Sequence, residues 1–303
     1  MQVISSAVSF LRLLDKKRLL RYNKGGPYLS EEVLNLIVVD YLLSFAQILL
    51  LSLGVILVCG FAVRFFSFAF ARISGTGSGD IFDITSIIGT PVHELGHAVM
   101  CLLFGHKIKR IKLWSPRHED GVYGFVEHTY NRKNPWARLG CLFIGVGPIF
   151  SGLGVIVLVL LLCFPAQWSA YLDTSRALMS TTPTIGQITS GAISLLRDII
   201  VGFGDNWVKS LIGILIILPV SLHITLSWQD IKSASAAAPL YLLIVALVTL
   251  CTMLFKVSGA LVGWLWLWNL RALSLFCIVI AFSAVWVVLA LLVRLVRIVI
   301  SWF

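Results

Sequence analysis

Thr90-Pro91-Val92-His93-Glu94-Leu95-Gly96-His97 is an HExxH box set inside an apolar run. On a helix, His93 and His97 fall one turn apart on the same face, so both imidazoles reach a single metal ion while Glu94 stands beside it. A Zn2+ ion in that seat lowers the pKa of a bound water to about 7, and a glutamate next to it can take the proton and pass it to a leaving amine. That is the minimal equipment for hydrolysing an amide. In 303 residues with six histidines, random placement yields roughly 0.002 such boxes. Pro91 suits the first turn of a helix and Gly96 lets a second backbone come close, so the box is expected in a crowded interior. The plainer alternative, polar side chains satisfied by neighbours in a bundle, must carry the cost of placing ionisable groups inside a membrane span.

That a membrane surrounds the box follows from composition. The chain is 58% apolar and 13% charged, with a mean hydropathy of +0.94, which excludes an ordinary soluble enzyme. Runs long enough to cross about 30 Å of hydrocarbon lie near 41–63, 84–104, 139–164, 207–229, 239–262 and 273–300. The fold expected is an all-α polytopic membrane protein of about six transmembrane helices, with a small cytoplasmic β-hairpin after the HExxH helix. The second span is the least apolar because it carries the box, as a functional span should be.

The net charge of +10 does not point to nucleic acid, because the basic residues are not gathered into one soluble domain with interleaved aromatics. They follow the sides of a bilayer instead. Seventeen of the twenty-four Lys and Arg lie in 1–40, 105–138, 229–238 and the C-terminal tail, which places both termini in the cytoplasm. The six cysteines all fall in expected spans without CxxC spacing, so neither a disulfide framework nor a thiolate zinc site is indicated, and small apolar packing residues are expected.

Around the box, the chain divides into a basic N-terminal segment, 1–30, and an integral membrane domain, 31–303, with its core at 84–232. Residues 1–24 have a broad apolar face followed by Asp15-Lys16-Lys17-Arg18, read either as a helix on the cytoplasmic leaflet or as a topology signal. No secretory signal pattern is expected there. Ser30 with Glu31-Glu32 marks an N-cap for the first span, and the glycine-rich stretch from Gly75 to Asp80 reads as an outer linker. Residues 107–130 change period and form the expected hairpin, either as an edge that holds an unwound peptide or as a structural plug. His106, His118 and His128 lie in these basic loops, where solvated histidines outnumber ligands. Gly140 to Gly154 carries five glycines and Ser151, a surface for close helix packing whose expected partner is the HExxH helix. Residues 165–206 form an expected external loop with an interfacial helix marked by Ile188, Ala192, Leu195, Ile199 and Phe203. Additional helices at 239–300 carry Trp264, Trp266 and Trp268 as interfacial anchors.

A tetrahedral catalytic zinc needs a third protein ligand. Among acidic residues after the box, Asp230 alone approaches the membrane on the side to which His97 points. His223 lies seven residues earlier, about 10 Å along an unbroken helix, so both cannot bind one ion unless the helix unwinds. Unwinding after Ser227 would let Asp230 fold back to the metal and leave His223 to polarise the scissile carbonyl or hydrogen-bond a ligand. Asp230 is therefore the expected ligand and His223 the alternative.

The intramembrane HELGH box, the basic hairpin after it and the glycine-rich helix through Gly147-Pro148 resemble the site-2 protease family of intramembrane zinc metalloproteases. The resemblance spans about residues 84–155, with a looser match at 219–232. It implies that His93 and His97 are the zinc histidines and Glu94 the catalytic glutamate. It further implies three central membrane helices and regulated cleavage of membrane-anchored substrates within or beside their spans. The family usually draws its third ligand from an Asp-Gly motif preceded by Asn-Pro, whereas Asp230 is followed by Ile231. Two other functions stand beside it. A CAAX-processing or heat-shock type of membrane protease would use a Glu as third ligand, and none follows Glu127. A catalytically silent protein that binds transmembrane partners would have no physical need for all of His93, Glu94 and His97.

Overall fold

The computed structural model describes residues 31–74, 79–116, 123–179 and 184–300. The expected N-terminal amphipathic helix, the Ser30 cap and His118 lie outside the described residues, as does most of the Gly75–Asp80 linker. The chain divides at Leu43/Ser44 into two compact units, and apart from the first part of one helix, residues 31–43, everything that follows belongs to the second.

The helices are α1 (Glu31–Leu49), α2 (Val55–Ser74), α3 (Gly79–Leu103), α4 (Pro135–Cys163), α5 (Pro165–Met179), α6 (Ile185–Val201), α7 (Trp207–His223), α8 (Trp228–Ser235), α9 (Ala238–Leu254) and α10 (Ser258–Ile300). A π-helical turn, Leu50–Gly54, joins α1 to α2, and the buried Asn269 donates to the Leu51 carbonyl within it at 2.6 Å. Four stretches are long and apolar enough to cross a membrane: Leu34–Ser74, Pro135–Cys163, Gly186–His223 and Ser258–Ile300. A fifth is added if α8 and α9, which meet at a bend of 60°, count as one broken span. Six were expected from the sequence. α3 is not among them because it carries the box, and the expected 207–229 span ends at His223 and begins earlier. The exposed faces of these helices are apolar, with Phe61, Phe65, Phe68, Leu158, Leu161, Leu162 and Leu292 outward, as in a protein whose solvent is lipid.

Local sequence explains the boundaries that position the site. Asn134 caps α4 by accepting from the Trp136 amide at 3.0 Å, with Pro135 in the first turn. Gly105, at φ +70°, stops α3: the His106 amide reaches back to the Cys101 carbonyl at 2.8 Å, the six-to-one bond of a Schellman turn. α7 ends at His223, four residues run unwound, and Ser227 caps α8. Thr184 and Gln187 form a capping box on α6, which buries Ala192, Leu195 and Ile199 in the main apolar core with Phe164, Leu160 and Phe276; Ile188 is buried as well. Residues 165–206 are thus two helices and a short 3-10 turn joined to the core, where a polar loop with one surface helix was expected.

The two strands, β1 (Lys107–Lys112) and β2 (Phe125–Thr129), pair antiparallel with Ile108 opposite His128 and Lys112 opposite Phe125, and the register shifts between Ile108 and Arg110. Arg110 forms a two-pronged pair with Glu127, at 2.8 and 2.6 Å, on the exposed face. The expected hairpin is present, but it does not lie across one end of the bundle. It runs back along α3: the Trp114 indole donates to Ser86 Oγ at 2.8 Å, and the Tyr123 hydroxyl bonds the Asp83 carboxylate. From Leu103 back to Ser86 is about 26 Å of helix, close to the reach of about 23 Å that residues 107–114 have when extended.

Candidate metal centre

α3 packs against α4 and α7, and the α3–α4 contact is as close as backbones allow. A Cβ on Gly96 would stand 2.6 Å from the Gly147 carbonyl oxygen, and one on Gly147 would stand 2.6 Å from that of Gly96. Ser151 Oγ donates to the Val92 carbonyl at 2.8 Å across the same seam. The glycine-rich face of α4 is thus the partner expected for the HExxH helix, and it holds the box by backbone contact on one side.

Within this seam the two histidines are oriented through their Nδ1 atoms. His93 Nδ1 lies 2.9 Å from the His223 carbonyl and His97 Nδ1 lies 2.7 Å from the Ile144 carbonyl. A carbonyl only accepts, so both Nδ1 atoms carry protons, and in the neutral rings both Nε2 atoms present lone pairs. Those Nε2 atoms face each other at 3.2 Å. Asp230 closes the third side, its Oδ1 at 3.2 Å from His97 Nε2 and its Oδ2 at 4.0 Å from His93 Nε2. Two lone pairs and a carboxylate converging on one point can hold a cation there. Ligands about 2.0–2.1 Å from a tetrahedral ion stand about 3.3 Å apart, so the donor set fits a metal ion in spacing and in type. His93, His97 and Asp230 form one of two groups among the described residues able to hold one.

The unwound stretch between α7 and α8 delivers Asp230. The Thr225 amide turns back onto the His223 carbonyl at 2.8 Å, the Arg64 guanidinium bonds the Leu226 carbonyl, and Ser67 Oγ donates to the Leu222 carbonyl at 2.5 Å. The break falls before Ser227 instead of after it. Asp230 then does two things with one carboxylate. Its Oδ2 accepts from the Ser227 amide at 2.8 Å while Ser227 Oγ accepts from the Asp230 amide at 3.0 Å, a capping box that leaves Oδ1 turned to His97. Gly145 leaves room for this helix, since a Cβ there would meet the Asp230 carbonyl oxygen at 2.8 Å.

His223 sits differently from Asp230. Its imidazole fills the space over Gly89, and its Nδ1 donates to the Pro219 carbonyl at 2.9 Å. It is not one of the three converging ligand groups, and its link to the metal seat is its backbone carbonyl. Glu94 is 7% exposed and lies under the hairpin: a Cβ on Gly124 would stand 2.8 Å from Thr90 Cγ2 and 2.9 Å from Glu94 Cγ. The approach of the Gly124 backbone to Glu94 carries no sequence motif beyond the glycine itself.

His106 and His128 were expected in solvated loops. They are not: His106 is 4% exposed and its Nδ1 lies 2.9 Å from that of His128. The reason is the Schellman turn, which folds His106 back onto the end of α3 and inside the root of the hairpin. No protein-family model, curated protein or solved structure matches the chain.

Proposed function

We propose that the chain is an intramembrane zinc endopeptidase that cleaves transmembrane or membrane-anchored proteins within or next to their spans. The observation that carries this is the convergence of His93 Nε2, His97 Nε2 and Asp230 Oδ1 beside a buried Glu94. Two imidazoles and a carboxylate, with one position left for water or substrate, are a catalytic donor set and not a closed structural one. A zinc ion bound there supplies Lewis acidity to a water and to the scissile carbonyl.

The residues divide the remaining work. His93 and His97 hold their ring planes through the His223 and Ile144 carbonyls, which fixes the tautomer that offers Nε2. Glu94 takes a proton from the attacking water and returns it to the leaving amine nitrogen. The hairpin beside Glu94 offers backbone N–H and C=O groups along its outer edge, and a substrate segment unwound from its helix can add there as a strand. Unwinding is required because a helical peptide hides its carbonyls in internal hydrogen bonds. His223 is assigned to positioning through its backbone carbonyl, which holds His93 Nδ1, and not to ligation. In this reading α3 is a further span, packed on α4, α7 and the hairpin on one side and turning Ile84, Ile87, Val99 and Leu102 to lipid on the other, both termini face the cytoplasm, and the partners are the bilayer and a membrane-anchored protein substrate.

The test is Glu94→Gln in the full-length protein. Cleavage of membrane-protein substrates, followed as fragments in membranes with and without the variant, is expected to fall by about 10²–10⁴-fold, while bound zinc is unchanged. Full cleavage by a zinc-loaded Glu94→Gln protein overturns the assignment of the base, and no difference in fragments between wild type and variant overturns the protease.

A further inference from the structure

A second group of ligand atoms lies one turn further along the stripe that carries His93 and His97. Cys101 follows His97 by four residues, so the three share one helical face. Cys101 is fully buried. The Schellman turn at Gly105 returns His106 to the same place, and the hairpin register brings His128 back from the other strand. The Cys101 Sγ and the ring nitrogens of His106 and His128 all lie within 4.8 Å of one another.

The orientation of His106 is fixed. Its Nε2 lies 2.6 Å from the Ala137 carbonyl, so Nε2 carries the proton and Nδ1 presents a lone pair toward His128. Tyr130 stacks on the same ring, with centroids 4.7 Å apart and planes 19° from parallel. Gly140 leaves the space the ring needs, since a Cβ there would stand 3.0 Å from His106 Nε2. A buried imidazole with its far nitrogen tied to a carbonyl and its near nitrogen aimed at a second imidazole repeats the arrangement that orients metal-ligating histidines.

We propose that Cys101, His106 and His128 bind a second transition-metal ion, at the root of the hairpin. One thiolate and two imidazoles select a borderline-to-soft ion such as Zn2+ over Mg2+ or Ca2+. Binding replaces the thiol proton, which is released to solvent. The ion joins the end of α3, the first residues of the hairpin and the last, and so sets the angle at which the strands run along α3 toward Gly124 and Glu94. Without an ion, His128 would donate from Nδ1 to His106 as a simple hydrogen-bonded pair.

The two seats are distinguishable because only this one contains sulfur. The full-length protein in detergent, stripped by chelator and reloaded with Co2+, is expected to show a near-ultraviolet thiolate-to-cobalt charge-transfer band and about two cobalt ions per chain. The band is expected to persist in the His93→Ala, His97→Ala double variant and to vanish in Cys101→Ser and, independently, in His128→Ala. In each case bound cobalt falls to about one per chain, and the visible absorption of the remaining site reports that the variant is folded. A wild-type protein that takes up Co2+ with no thiolate band overturns the proposal and leaves the hydrogen-bonded pair. A band that disappears with His93 and His97 but survives Cys101→Ser overturns it equally.

Discussion

At the scale of residues, the metal seat depends on atoms of two kinds. The histidines and Glu94 were legible in the sequence because HExxH spacing is a side-chain pattern with a helical reason. The orienting atoms were not, because the carbonyls of Ile144 and His223 are common to every residue type. The choice between Asp230 and His223 stayed open for the same reason: it turns on where α7 unwinds. A signal was nonetheless present, since Ser227-x-x-Asp230 has the form of a capping box, and the cap is what aims the carboxylate. Two outcomes follow. Asp230→Ala is expected to lower zinc affinity by more than 100-fold, measured by competition with a chelator, because it removes both a ligand and the cap. His223→Ala is expected to change it by less than about 10-fold, because the orienting carbonyl remains. That is below the usual effect of removing an outer-shell partner, and a loss in His223→Ala as large as that in Asp230→Ala would make the imidazole a ligand.

At the scale of elements, α3 and α4 behaved as their glycines indicated, and the hairpin leans on a neighbour that its charges do not name. Lys107, Lys109, Arg110 and Lys112 point to an aqueous face, yet the chain beyond them runs to Trp114 and Tyr123, whose polar tips bond Ser86 and Asp83. Strand periodicity reveals the pairing and says nothing of which neighbour the hairpin leans on. Gly96 and Gly147 test the packing. Gly96→Leu places side-chain atoms against the Gly147 backbone and is expected to destabilise the bundle by about 1–3 kcal/mol, seen as a lower melting temperature in detergent. The same substitution at Gly154, where a Cβ meets nothing within 4 Å, is expected to have little effect. Gly124→Val drives a side chain into Thr90 and Glu94 and is expected to reduce cleavage at least 10-fold with zinc retained, measured on one preparation for both. Cleavage at the wild-type rate would remove the hairpin from the site.

At the scale of the molecule, hydropathy gave the membrane class at once, and four to five of the six expected spans are long and apolar enough to cross a membrane. α3 has a low apolar content for a span because it carries His93, Glu94 and His97 on its packed face, while Ile84, Ile87, Val99 and Leu102 stay exposed on the other. α10, at 43 residues, is a single helix longer than a bilayer needs. The distribution of Lys and Arg predicts sides, and single cysteines in place of Lys133 and Arg297 are expected to be labelled by an impermeant reagent from the same side. One in place of Arg176 is expected to be labelled from the other, and labelling of all three from one side would contradict the topology. What holds these scales together is a metal ion held by His93, His97 and Asp230. The direct measurement is zinc content by mass spectrometry of the purified Cys101→Ser protein, in which the second cluster is silenced, with and without Asp230→Ala. About one zinc per chain, lost on adding Asp230→Ala, is the expected result, and a zinc content that Asp230→Ala leaves untouched would contradict it.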